Sequence, residues 1–350
     1  MNGKIIKTTL SIFILTVFLS AAMIVGCGGG SGGSSSGSAT STPTPTPTAT
    51  STVDYTSSDF MPPSGAATGD DTPEGIGPWN CRIMIAQSND SLTFTRKNKI
   101  LSDQADVPCA MVDSAGRIFV YYVAWSPSSV RNKSVAAVSI DDGKTWAYKK
   151  VSISGMSGEW ADAVDPTGML LENGNIRLYF TSQSPNASKA GPYCAISSDG
   201  LNFTLESESS IVGDNDHELL DPCVVLFGSE WHLYNGPFIE QKGGNSHFTS
   251  GNGTTFTQAA YIDPGDMLMS NAVKISSSTY RLYGFPYQSG VAAYIESATS
   301  DDGENWTKDS GRRLELDESS GLESMFVKDP GICKNSKGLY LMFYVTKIPD

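Results

Sequence analysis

One short pattern recurs five times along the chain, and its spacing limits the fold more than any other feature. It reads SIDDGKTW at residues 139–146 and TSDDGENW at 299–306, with looser copies ISSDGLNF (196–203), TSGNGTTF (249–256) and SNDSLTF (88–94). The closing aromatics are Phe94, Trp146, Phe203, Phe256 and Trp306, so the steps are 52, 57, 53 and 50 residues. One motif per unit at such a period marks a radial or stacked repeat. Taken alone, Asp141 and Asp142 would suggest a metal loop or a catalytic acid pair, but a feature present in every unit cannot mark a single active site. In a tight turn glycine supplies positive φ, and Asp or Asn bonds its own backbone. The motif therefore reads as a structural turn whose trailing aromatic packs between neighbouring sheets.

A second pattern travels with the first. Asp106-Val-Pro-Cys leads to Gly116 and FVYY, Asp165-Pro to Gly174 and RLYF, Asp221-Pro to Gly228 and WHLY, and Asp329-Pro to Gly338 and YLMFY. The unit between Phe256 and Trp306 keeps Arg281, Leu282 and Tyr283 but has Ser270-Asn271 where the Asp-Pro is expected. Each unit thus predicts an apolar strand A, a glycine turn, an aromatic strand B, a variable loop, a strand C ending in the aspartate turn, and a strand D. Four short antiparallel strands with no helical periodicity between them describe a propeller blade. The fold class is all-β, a five-bladed β-propeller over residues 81–350. The chain ends on an A and B pair (327–346) and begins at 81–99 with a C and D pair, so the two halves complete one blade and remove the exposed sheet edges.

The first fifty residues are of another kind. Lys4 and Lys7, an apolar run from Leu10 to Val25, and Ile24-Val25-Gly26-Cys27 make a secretory signal. Its last four residues resemble a bacterial lipobox, which implies lipidation of Cys27 and an exported domain anchored to a membrane only through that lipid. Residues 27–80 are expected to form a disordered tether, Gly/Ser-rich and then Thr/Pro-rich, with too little apolar surface to order itself. Removing residues 1–26 moves the formal charge from −13 to −15. That acidity argues against nucleic acid or anionic lipid as a partner and suits a neutral or cationic ligand; the domain is expected to be a monomer. Cys81, Cys109, Cys194, Cys223 and Cys333 show no metal-ligand spacing, and they read as small buried residues with room for one or two disulfides. No pattern calls for a cofactor, and nothing in the sequence supports a central calcium.

In a propeller the heads of strands A converge on the axis, and the aspartate turns lie at the opposite rim. Asp106, Asp165, Asp221 and Asp329 are therefore the axial candidates. The turn motif resembles the Asp-box of sialidases. Five blades with Asp(-Pro) at strand A resemble the furanosidase-type glycosidases, including the arabinanases and xylosidases of glycoside hydrolase family 43 and their invertase-like relatives, over residues 81–350. That resemblance implies hydrolysis of glycosidic bonds in neutral glycans, with Asp106 as general base and Asp221, two blades on, tuning pKa and orienting substrate. The family's general acid, a glutamate on the next blade, has no match in DPGDMLMSNAVKI (263–275). The acid is left open among Asp266, Glu218 and Glu323. Trp125, Trp160, Asp165, His217, Phe238 and Asp329 supply the aromatic faces and polar groups for a polyhydroxylated substrate. Two alternatives stand beside this reading. One is a non-catalytic propeller binding carbohydrate or protein; the other is a sialidase-like hydrolase, although Arg117, Arg177 and Arg281 fall on the turn side, away from the axis.

Overall fold

Strand B of each repeat is buried on both faces, which is possible only if a neighbouring sheet covers each side. Ile118–Ala124 and Ile176–Ser182 are buried at every position. The computed structural model describes residues 53–350, apart from 70–71, 157, 214–216, 240–241 and 287–291 and the side chains of 237 and 238.

The described chain opens with β1 (Cys81–Ser88) and β2 (Thr95–Asp103). Blade 1 is β3 (Ala105–Val112), β4 (Ile118–Ala124), β5 (Lys133–Ser139) and β6 (Ala147–Lys150). Next comes β7 (Ser152–Ser154), a parallel fifth strand on the outer edge of blade 2, which is β8 (Val164–Leu170), β9 (Ile176–Ser182), β10 (Gly191–Ser197) and β11 (Asn202–Leu205). Blade 3 is β12 (Leu220–Phe227), β13 (Glu230–Ile239), β14 (Gly244–Ser250) and β15 (Thr257–Gln258). Blade 4 is β16 (Met267–Lys274), β17 (Tyr280–Pro286), β18 (Tyr294–Ser300) and β19 (Thr307–Lys308), with β20 (Leu314–Glu315) also on β18. Finally β21 (Ser324–Lys334) and β22 (Tyr340–Lys347) join β1 and β2 in the order β2-β1-β22-β21. The chain is a five-bladed all-β propeller closed by its own ends, as the repeat predicts, with eight residue pairs between β1 and β22.

The repeated turn is built by one serine and one carboxylate. Ser139 Oγ donates to Asp141 Oδ1 (2.8 Å) and accepts from Gly143 N–H (2.9 Å), while Asp141 Oδ1 accepts from the amides of Lys144 and Thr145 (3.1 and 2.9 Å). Closely similar bonds recur around Asp90, Asp199, Asn252 and Asp302. Partial burial works to raise the Asp141 carboxyl, but the amide and hydroxyl of Thr145 and the hydroxyl of Ser139 hold it down at about 2. It is an ionised acceptor that ties a turn.

The turns also tie blades together. Tyr121, Tyr179, Tyr234 and Tyr283 on strands B are fully buried. Their hydroxyls donate to the turn carbonyls of Gly200, Gly253, Gly303 and Ser91 on the following blades, at 2.9, 2.8, 2.5 and 2.7 Å. Such an approach leaves no space on the turn. Gly200 has φ 77°, and a Cβ there would lie 2.9 Å from the ring of Phe119. The fifth blade carries Phe343 at this place, edge-on to Trp146 with centroids 5.5 Å apart, and forgoes the bond.

The tether expectation fails for its last stretch. Residues 54–80 belong to the same compact unit as the propeller, and they bind along blade 1 through side chains the compositional reading passed over. Asp59 N–H donates to Tyr148 O (2.8 Å), its carboxylate pairs with Lys149 (2.7 Å), and Phe60 packs on Tyr148. Tyr55 Oη reaches Asp199 O at 2.8 Å. This strap covers the free edge of β6, an exposed row of backbone donors and acceptors that would otherwise be a template for aggregation. The signal, Cys27 and residues 27–52 lie outside the described residues, and among the described ones no helix is long and apolar enough to cross a membrane. The five cysteines are buried and unbridged, the first of the two readings the sequence allowed.

Replacing Tyr179 with Phe removes one interblade bond without creating a cavity. Unfolding free energy should fall by about 1–2 kcal/mol, measured as the shift of the urea midpoint at unchanged slope. A midpoint equal to that of the wild type would show that the bond does not hold the blades.

Candidate active site on the propeller axis

Strand pairing defines which axial residues are true counterparts. Asp106 pairs with Val123, Val164 with Thr181, Leu220 with Gly236 and Lys328 with Val345. In each case pairing resumes three residues on, at Cys109, Thr167, Cys223 and Gly331. The two residues skipped are Val107-Pro108, Asp165-Pro166, Asp221-Pro222 and Asp329-Pro330. Proline has no N–H to give the ladder and bars the residue before it from the right-handed helical region. The chain bulges there, and the residue before proline takes φ of 48°, 50°, 52° and 45° in turn. Aspartate tolerates this left-handed conformation, whereas a β-branched valine is strained in it.

Two corrections follow. Asp106 is not the counterpart of the other three aspartates: Val107 is, and Asp106 corresponds to Lys328. In blade 4, Asn271 pairs with Tyr283, so Met269-Ser270 occupies the Asp-Pro place, one residue earlier than Ser270-Asn271.

The four axial aspartates nevertheless meet. Asp165, Asp221 and Asp329 line one axial cavity with Val107, Leu268 and Met269. Asp106 joins them through Lys328, whose ammonium lies 2.7 Å from Asp106 Oδ1 and also contacts the Asp329 carboxylate. Thr181 stands beside the other two: its hydroxyl accepts the Asp221 N–H at 3.2 Å and works to hold the Asp165 carboxyl down. The cavity bounded by the described residues is about 20 Å³, room for about one water molecule.

Desolvation dominates the electrostatics. It raises Asp165 to about 6 against the hydrogen bond from Thr181, with the charges of Asp329 and Asp106 adding to the rise. It raises Asp221 well above the usual carboxylate range, helped by Asp165 and Asp329. Asp329 is also raised by burial, although Lys328 pulls it back. For Lys328, desolvation is overcome by the charges of Asp106 and Asp329, which raise the ammonium well above its ordinary value. The axis therefore retains protons on carboxyl groups at a pH where free aspartate has lost them.

The other candidates lie in different settings. Glu323 is buried and committed to Arg96 (2.5 Å), the Tyr344 hydroxyl (2.6 Å) and the Asp317 N–H (3.1 Å), so its position serves packing between β2, β21 and β22. Asp266 has φ 61° and donates its N–H to Asp263 in the turn before β16. Glu218 is half-buried beside His217, whose Nε2 lies 3.2 Å from Ser246 Oγ. Trp125 packs against Trp79 of the strap (5.3 Å) and lies under Arg131, while Trp160 packs edge-on to Tyr193 (5.1 Å). The side chain of Phe238 is outside the described residues. Arg117, Arg177 and Arg281 are paired within their own blades with Asp113, Glu206 and Asp309. Among the described residues no group of three or more His, Cys, Asp or Glu is arranged to hold a metal ion.

Sequence reasoning missed Lys328 and Thr181. Lys328 had a signal, a cation set directly before Asp329-Pro330 after the apolar run Met325-Phe326-Val327. Thr181 had none, because its role depends on the Asp221 N–H that reaches its hydroxyl from the next blade.

No protein-family model and no curated protein matches the sequence. Solved structures do match in shape. An α-L-arabinofuranosidase from Clostridium thermocellum superposes with a TM-score of 0.52 at 18% identity, over 68% of this chain and 80% of that one. A thermostable family-43 glycoside hydrolase gives 0.53 at 12%, over 69% and 88%. An N-acetylgalactosamine deacetylase from F. plautii, in complex with blood group B trisaccharide, gives 0.53 at 12%, over 75% and 85%. The chain shares their fold.

A carboxyl raised to about 6 in the folded state binds more protons than its unfolded counterpart near 4. Its contribution to stability is therefore full below about pH 4 and lost as pH rises through about 6. The variant Asp165→Asn should gain melting temperature over the wild type as pH is raised from 4 to 7. Parallel melting curves across that range would overturn the assignment.

Proposed function

We propose that this protein is a glycosidase-like hydrolase of neutral glycans, working through carboxylates on the propeller axis. The observation that carries the reading is the convergence of Asp106, Asp165, Asp221 and Asp329 from four blades, two of them lining the same cavity as Asp329 and the fourth joined to it by Lys328. Glycoside hydrolysis needs one carboxyl to protonate the leaving oxygen and another to act on water or the anomeric carbon. Asp106, with the Lys328 ammonium as its counter-ion, is the base. Asp221 orients substrate, and its protonation answers to burial and to the charge of Asp165. Glycan-directed relatives of the same fold support the substrate class, and the locally paired arginines leave no cluster on the axis for a sialic acid carboxylate. Lipidation at Cys27 would carry the domain to the outside of a bacterial membrane, where such polymers are met.

A second reading, a propeller that binds glycan without cleaving it, is favoured by two observations. Met269 stands where a fourth-blade carboxyl would be, and the axial cavity is small.

The two separate in a screen on arabinan, xylan, fructan and sialylated substrates. The hydrolase reading expects release of sugar from a neutral polymer and a loss of about 10²–10⁴-fold in Asp106→Asn, with the melting temperature retained. Hydrolysis left intact by that substitution would remove Asp106 from the mechanism; binding without turnover in the wild type would select the second reading.

A further inference from the structure

Asp165 and Asp221 occupy the same bulge position on adjacent blades, with φ of 50° and 52°. Both line the axial cavity, and the Thr181 hydroxyl beside them accepts the backbone N–H of Asp221 at 3.2 Å. The ammonium of Lys328 is engaged by Asp106 and Asp329. The cavity is otherwise lined by the apolar side chains of Val107, Leu268 and Met269, by three prolines, and by Thr167, Ser270 and Cys109, none of which carries a positive charge. Two carboxylates in one desolvated site, without a cation of their own, cannot both ionise cheaply; one keeps its proton.

We propose that Asp165 and Asp221 share a single proton near neutral pH, and that this pair is the proton donor that the fourth blade fails to supply as a glutamate. The donor role rests on the glycosidase reading; the shared proton stands without it. The charged and titratable groups facing the pair are Asp106 and Cys109 from blade 1 and Lys328 and Asp329 from blade 5. The Thr181 hydroxyl of blade 2 and the backbone N–H of Asp221 work against it, both favouring the ionised form of Asp165.

The pair's proton passes to the glycosidic oxygen as that oxygen's bond to the anomeric carbon breaks, and the oxygen leaves as an alcohol. A water oxygen bonds to the anomeric carbon and gives its proton to the Asp106 carboxylate. Solvent then returns that proton to the pair.

The test is titration of the full chain with ¹³C-labelled aspartate carboxyls, following wild type, Asp165→Asn and Asp221→Asn from pH 3 to 9. The expected result is one axial carboxyl that keeps its proton to about pH 6 or above, and a partner whose midpoint falls by about one unit or more when its neighbour becomes Asn. Axial carboxyls that all titrate below pH 5 in the wild type overturn the shared proton, and the wild-type curve decides this even if a variant does not fold. The donor role is read separately on the glycan found to be hydrolysed. Asp165→Asn and Asp221→Asn should each lose about 10²-fold or more, and the loss should shrink on aryl glycosides whose leaving group needs no proton. Equal loss on both substrates, or no loss, overturns the donor role while leaving the titration result in place. Absence of hydrolysis on every glycan sinks the hydrolase reading alone.

Discussion

The structure depends on the bond from a strand-B tyrosine to the turn carbonyl of the next blade. A propeller has no single core; its sheets touch only face to face, and apolar packing alone does not fix how one blade is rotated against the next. The hydroxyls of Tyr121, Tyr179, Tyr234 and Tyr283 remove that freedom by satisfying a buried carbonyl at a defined height. The turn must then present its carbonyl at close range, which explains both the glycine in most copies and the carboxylate or amide that ties the loop. Where Phe343 breaks the pattern, the contact with the turn of blade 1 is its edge-on packing against Trp146, while the pairing of β1 with β22 closes the fifth blade itself.

That fixed geometry allows the axis to be crowded with like charge. In four of the five blades strand A enters the axis at a proline-enforced bulge, so the preceding side chain is turned inward by backbone constraint. Three of those side chains are carboxylates, and a fourth arrives one residue earlier in blade 1. Lys328 offsets part of the charge and protonation offsets more. Val107, a β-branched residue in a left-handed conformation, shows that the bulge persists even where the residue resists it.

The architecture was legible because repetition converts weak local signals into a strong one. Five copies of a turn, each degenerate in its own way, set the blade count and strand order, and the half-blades at the two ends showed how the ring closes. The site was legible only to the level of which residue types head each strand. Asp106 looked like a fourth member of the Asp-Pro set, and pairing register showed it to be the counterpart of Lys328. Glu323 was an acid near the right strand, yet Arg96 and Tyr344 claim it from β2 and β22. Residues 54–80 were assigned to the tether by composition, but a few anchoring side chains, Tyr55, Asp59 and Phe60 among them, are enough to hold an extended strap on an open sheet edge.

By itself the sequence determined the all-β class, the number of blades, the closure of the ring and the structural role of the repeated aspartate turn, because these follow from period and from local turn chemistry. Only the tertiary structure decided which carboxyls share the axis, that Lys328 stands among them, and that Thr181 stands beside Asp165 and Asp221. Those relations join residues on different blades, and their ionisation depends on burial and mutual charge, neither of which is a property of any one stretch of chain.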